Sequence, residues 1–182
     1  MVYVTETAQT LGELERLRLQ TRRQLEGLSF PLVLFGGISL VAAALSAALG
    51  EEAQGLFWAL AGPAGGVAVS LHYRRRELDL GLSRAAWPYI CTAVALMVGC
   101  FVLGFLEQPW SVGPWLAVAA GYLVFGGLER SAAVIVMALT LAALAVAVGA
   151  LEVTPVAVIL NAAYGVAFLA TGLAARARRD ER

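Results

Sequence analysis

Lysine is missing altogether: all 13 basic residues of the 182-residue chain are arginine. Without a side-chain amine no Schiff base can form, which excludes a retinal protein or a lysine-based carbonyl enzyme. Aspartate is limited to Asp79 and Asp180, and His72 is the sole histidine. Alcohol phosphotransferases that build phospholipids need several aspartates for metal and base, and one aspartate in the 74–84 segment cannot supply them. A haem held by two histidines is excluded, as are intramembrane metalloproteases, which need paired histidines or histidine with clustered carboxylates. Glu51-Glu52 superficially resembles the paired glutamates of one such family, but no second-helix histidine follows. A Gly-x-Ser-x-Gly elbow is absent too. The two cysteines, Cys91 and Cys100, are nine positions apart on one predicted helix. That spacing puts them on opposite faces and about 13.5 Å apart along the axis. A disulfide needs Cα atoms within about 7 Å, so buried, inert thiols are expected. These gaps argue against an enzyme and leave no catalytic, cofactor-binding or metal residue to name.

What the chain does have is apolar length. Sixty per cent of residues are apolar and 14% charged, against about 25% charged in a soluble domain. Ser131 to Leu151 is 21 residues without a formal charge, and Val156 to Ala175 adds another such run. At 1.5 Å per residue each is roughly 30 Å long, the thickness of a hydrocarbon core. Only Glu152-Val-Thr-Pro155 separates them, so two crossings joined by a tight turn are predicted. The same pattern occurs twice earlier. The expected fold is an all-α membrane bundle of six transmembrane helices arranged as three hairpins, over approximately 30–49, 53–73, 85–106, 112–128, 131–151 and 156–175. Ser29 is the expected N-cap of the first span, with Pro31 in its first turn where it costs little. Arg74-Arg-Arg76 should stop the second span, with a loop to Arg84.

Residues 1–29 form a separate polar segment in which Thr10-Leu-Gly-Glu13 fits a capping box and Leu11, Leu14, Leu25 and Leu28 recur at heptad-like spacing. An amphipathic juxtamembrane helix is expected there, lying on headgroups or on the protein's own face, or docking a partner. Residues 176–182 form an arginine-rich tail. Counted by side, the N-terminal segment, the 74–84 loop, the 129–131 turn and the tail hold every arginine. The opposite turns hold only Glu51, Glu52, Glu107 and Glu152. The positive-inside rule then predicts both termini in the cytoplasm of a multi-pass plasma-membrane protein. The arginines should meet anionic headgroups of the lipid bilayer.

The hairpins also share a rhythm: Glu51 to Gly65, Glu107 to Gly121 and Glu152 to Gly165 are separated by 14, 14 and 13 residues. Gly62 and Gly66 make a GxxxG pair around Pro63, predicting a local kink and close helix approach, or a broken helix beside a solute. Within the spans no charge lies deep, whereas ion-coupled transporters keep one there. Asn161 is the polar group most costly to leave unpaired, with Tyr164 on the same side of the helix. They serve either an interhelical hydrogen bond or a polar contact to a small ligand. His72 reads as an interfacial residue near a helix C-terminus, or as a proton-handling group. The four turn glutamates are topological, or converge as an acidic mouth.

Ser29-Phe-Pro-Leu-Val-Leu-Phe-Gly-Gly37, Gly62-Pro63 with Tyr73-Arg-Arg-Arg76, and Gly121-Tyr-Leu-Val-Phe125 with Leu128-Glu-Arg-Ser131 together give the chain its character. It resembles the small, lysine-poor, six-span integral membrane proteins of high-GC actinobacteria. Their genes are often near winged-helix regulators or transport genes, so the resemblance implies an accessory role, without site residues to carry over. Two functions are therefore expected to compete. One is an accessory or sensory component acting through its cytoplasmic face, with a protein partner or a second copy and no nucleic acid. The other is a transport component binding a small, weakly polar solute between its helices.

Overall fold

The computed structural model describes residues 28–80, 87–105 and 112–180. Among these residues there are six helices and no strand: α1 (Ser29–Leu49), α2 (Glu51–Leu80), α3 (Trp87–Phe105), α4 (Gly113–Leu128), α5 (Ala132–Ala150) and α6 (Val156–Asp180). The expected amphipathic helix of residues 1–27 lies outside the described residues, as do positions 81–86 and 106–111. Four helical segments are long and apolar enough to cross a membrane: Ser29–Leu49, Glu52–Asp79, Ala132–Ala150 and Val156–Arg178. The other two helices contribute the shorter apolar stretches Trp87–Leu103 and Gly113–Leu128.

Helix ends differ from the sequence reading in instructive ways. Leu28, not Ser29, occupies the N-cap of α1, and no side chain caps that end. Gly50 alone joins α1 to α2, at φ 90° and ψ 177°, a conformation open essentially only to glycine. The Arg74–Arg76 cluster does not stop α2, which runs on through Leu80. Arg, Glu and Leu are good helix formers, so leaving the apolar zone need not end the helix. α6 likewise carries its helix through Arg176 and Arg178. Pro63 sits inside a continuous α2.

Neighbours are ordered α2, α1, α6, α5, α4, α3 across the bundle, and α1 against α6 is the most extensive pairing. These two helices are antiparallel and touch backbone to backbone. A Cβ at Gly36 would lie 2.9 Å from the Leu169 nitrogen and 3.0 Å from the Gly165 carbonyl oxygen. One at Gly165 would lie 3.1 Å from the Gly36 carbonyl oxygen, and one at Gly172 would lie 3.1 Å from that of Ser29. Leu32, Gly36, Ser39, Ala43 and Ser46 of α1 are buried at alternating spacings of four and three, which is a seam of coiled-coil type. A Cβ at Gly65 of α2 would lie 3.0 Å from the Phe35 ring of α1, and Gly121 of α4 receives the Leu96 side chain of α3. In the first two hairpins the central glycine of the returning helix thus packs on its own partner. In the third, Gly165 packs on α1 instead.

The Phe30 ring stacks on His72 with centroids 3.9 Å apart, Tyr89 reaches Glu129, and Gly172 lies against Leu32. These contacts gather Arg74–Arg76, Arg130, Arg176 and Arg178 at one end of the bundle. Ser46 with Gln54, and Gly149 with Val112, mark the other end, where Glu52 and Glu152 lie. The core lies among α1, α4, α5 and α6, around Leu32, Trp115, Leu141, Leu160, Tyr164 and Phe168. α2 and α3 are peripheral. Only 6% of the apolar window of α2 is buried, against 39% for α6, and Leu60 and Phe101 are 69% and 66% exposed. Apolar faces of this extent suit a hydrocarbon solvent rather than water.

The glycine contacts generate a paired prediction. Gly36→Ala should destabilise the bundle by about 1–3 kcal/mol through overpacking. Gly66→Ala, where a Cβ meets nothing within 4 Å, should be neutral or stabilising by up to about 1 kcal/mol. Thermal unfolding in mild detergent checks both, and equal effects would contradict the packing described.

Candidate functional site

Buried polar groups lie on α1, at Ser39 and Ser46, and on α6, at Asn161 and Tyr164. Asn161 is 0% exposed, and its Oδ1 accepts the indole N–H of Trp58 on α2 at 3.2 Å. An indole nitrogen only donates, which fixes the amide orientation. The leftover group is therefore Nδ2, which is buried and has no hydrogen-bond partner. One turn further along α6, the Tyr164 hydroxyl donates to the Trp115 carbonyl of α4 at 2.8 Å and lies 3.4 Å from the Leu141 carbonyl of α5. Asn161 and Tyr164 thus tie α6 to three other helices, each at a different height. Neither faces solvent.

From Tyr164 a run of rings follows the α4–α6 contact toward the arginine end. Trp115 and Tyr164 have centroids 5.2 Å apart, Tyr164 and Phe168 5.7 Å, and Phe168 and Tyr122 4.4 Å. Phe125 continues the run at 6.0 Å from Tyr122, and Tyr89 stacks on it at 6.2 Å. The Tyr89 hydroxyl then donates to Glu129 at 2.8 Å. Tilted and edge-on rings of this kind fix side-chain positions over a long distance. They provide rigidity rather than reactive groups. Among the described residues no three of His, Cys, Asp and Glu are gathered as metal ligands.

The remaining sequence candidates fall elsewhere. A Cβ at Gly62 would meet only Trp58 of its own helix, at 4.0 Å, and one at Gly66 would meet nothing within 4 Å, while the intervening Gly65 packs on α1. Pro63 interrupts no segment of α2. His72 is eight residues short of the end of α2, so the helix terminus is not what surrounds it; it stacks on Phe30 and meets Tyr73 edge-on. Cys91 is exposed on α3, not buried, and Cys100 approaches the Pro114 carbonyl at 3.5 Å. Both thiols are free. Glu107 and the side chain of Glu51 lie outside the described residues.

Trp58 was not apparent as a partner from sequence, because tryptophan in a span reads as an interface anchor. The available signal was depth: Trp58 lies about two turns and Asn161 about a turn and a half inside the acidic end of their helices. The arrangement presents an apolar, ring-lined core in which the Nδ2 donor of Asn161 is left unpaired. Comparison with known proteins finds no matching family model, no matching curated protein and no matching solved structure.

Trp58→Phe should leave the whole Asn161 amide unpaired and cost about 1–3 kcal/mol. Tyr164→Phe should cost less, on the order of 0.6 kcal/mol, as is usual for interhelical bonds in bilayers. Adding Asn161→Leu to Trp58→Phe should recover stability, and a double-variant melt that is additive would refute the coupling.

Proposed function

We propose that the chain is a six-span plasma-membrane protein with both termini in the cytoplasm, acting as an accessory or sensory component through its cytoplasmic face. It is not an enzyme on this reading, and it does not bind nucleic acid. One observation carries the proposal. α2 and α6 continue as helix beyond their apolar lengths, through Arg74–Arg76 to Leu80 and through Arg176 and Arg178 to Asp180. The seven residues after Tyr73 project the helix by about 10 Å. Two stiff, charged posts at the arginine end support a docking face for a protein partner, above arginines that also meet anionic headgroups. A merely lipid-facing end would need no ordered extension.

A second reading is favoured by the unpaired Asn161 Nδ2. On this view the chain is a transport component, and a small, weakly polar solute with a hydrogen-bond acceptor completes the amide between α2 and α6.

Native mass spectrometry of the full chain, extracted gently from its own membrane, separates the readings. The accessory role predicts a stoichiometric second polypeptide that is lost from R74Q/R75Q/R76Q while the bundle still inserts. A retained small molecule without a polypeptide would overturn it in favour of transport. Such a solute should stabilise the protein by about 2.7 kcal/mol at a hundred times its dissociation constant, and Asn161→Ala should abolish that shift. Orientation has its own check: in a chain with Cys91 and Cys100 replaced by alanine, Glu152→Cys should label from outside intact cells, and Arg178→Cys only after permeabilisation.

A further inference from the structure

The third hairpin carries a groove that the core does not use. It lies between α5 and α6, lined by Ala132, Ala133, Val136 and Thr140 on one side and by Ala167 and Thr171 on the other, with a volume of about 540 Å³. Short side chains leave it open: three of these six are alanine. The Thr140 hydroxyl donates to the Val136 carbonyl at 2.9 Å, which neutralises its polarity and leaves an apolar wall. The lining continues along α5 to Leu141. From Ala132 to Leu141 is about 13.5 Å of helix, close to half the roughly 30 Å hydrocarbon thickness. The groove therefore has the depth of one leaflet.

Its mouth is at the arginine end and is positive. Arg130 is exposed two residues before Ala132, and exposed Arg178 lies seven residues after Thr171, on the same face of α6. Ser131 stands at the N-cap of α5 without a side-chain cap bond. The first-turn amides of Ala132 and Ala133, which themselves line the groove, have no acceptor within the helix. Of the carboxylates at this end, Glu77 and Asp79 are on α2, away from the third hairpin, Asp180 ends α6 two residues beyond Arg178, and Glu129 is half-buried and accepts the Tyr89 hydroxyl. An apolar slot one leaflet deep beneath two arginines and free amide donors complements one chemical species. We infer that the groove holds an acyl chain of an anionic phospholipid from the cytoplasmic leaflet, with its phosphate at Arg130, Arg178 and the start of α5. A zwitterionic lipid brings an ammonium to the same arginines and is disfavoured. The inference rests on the membrane-spanning reading above.

The test uses the full chain in nanodiscs of equal phosphatidylglycerol and phosphatidylcholine, released into mild detergent and examined by native mass spectrometry. One phosphatidylglycerol per chain should be retained, with enrichment on the order of tenfold expected from two arginines near a phosphate. R130Q/R178Q should equalise the two lipids. A133L/A167L should fill the groove and release the bound lipid of either kind, with A133V as a milder filler if that pair does not fold. Equal retention of both lipids by the parent chain, or retention unchanged by a folded groove filler, would overturn the inference. Alkaline carbonate extraction of the membranes in which the chain is expressed keeps the two ideas apart. Extracted protein defeats the spanning reading and the groove with it, whereas inserted protein without selective retention defeats the groove alone.

Discussion

The bundle depends on how closely α1 and α6 approach. In a bilayer, association gains little from hiding apolar surface, since lipid tails are as apolar as leucine. What remains is dispersion between well-fitted surfaces, and this falls quickly with separation. Gly36, Gly165 and Gly172 remove the side chains that would keep the two backbones apart, so that carbonyl oxygens of one helix sit against α-carbons of the other. Everything around this pair is arranged on the ridges that it leaves: α5 and α4 close over the Tyr164 side of α6, and α2 lies on the Phe35 side of α1.

The polar groups follow the same logic. Each buried amide or hydroxyl in such a core must find a partner within protein. Tyr164 finds carbonyls on two neighbouring helices, and Asn161 finds the Trp58 indole. The second bond matters because α2 has little other purchase on the core; it touches α6 through that indole while the rest of its length lies against α1 or faces outward. A peripheral helix is thus tethered toward one end by two side-chain hydrogen bonds, Trp58 to Asn161 and Ser46 to Gln54, and at the other by the Phe30–His72 stack. α3 is held on α4 along its length, by Leu96 over Gly121, Cys100 at the Pro114 carbonyl, and Tyr89 at Phe125 and Glu129.

Much of this architecture can be read in the residues. The starts and ends of α3, α4 and α5 fall where tryptophan, proline and charge punctuate the apolar runs, because those residues mark both the edge of the apolar zone and the edge of the helix. α2 and α6 separate the two edges. Arg74–Arg76 marks where hydrocarbon would end, and the helix continues because nothing there breaks it before Gly81. The Gly62–Gly66 spacing identifies a smooth helix face without identifying what lies against it, and a rotation of one residue puts Gly65 on the contact instead. Asn161 and Tyr164 stand out because polar groups in an apolar run are costly. Trp58 does not, since its partner is a hundred positions away and only the packing of α2 across α6 brings them together. The glycine rhythm of the three hairpins is regular in sequence, yet its third member is used to close the bundle rather than to brace its own hairpin.

That closure has a consequence for assembly. Leu32 and Gly172, which meet in the finished bundle, are separated by nearly the whole length of the described chain. Contacts so distant in sequence form late, since the intervening loop entropy must be overcome first. During synthesis the glycine face of α1 emerges more than a hundred residues ahead of the helix that covers it. Until then α1 has α2 beside it and lipid along the groove that α6 will occupy. The nascent protein is accordingly an open row of hairpins, and the final helix acts as the keystone whose arrival joins α1 to α5 across the middle of the bundle.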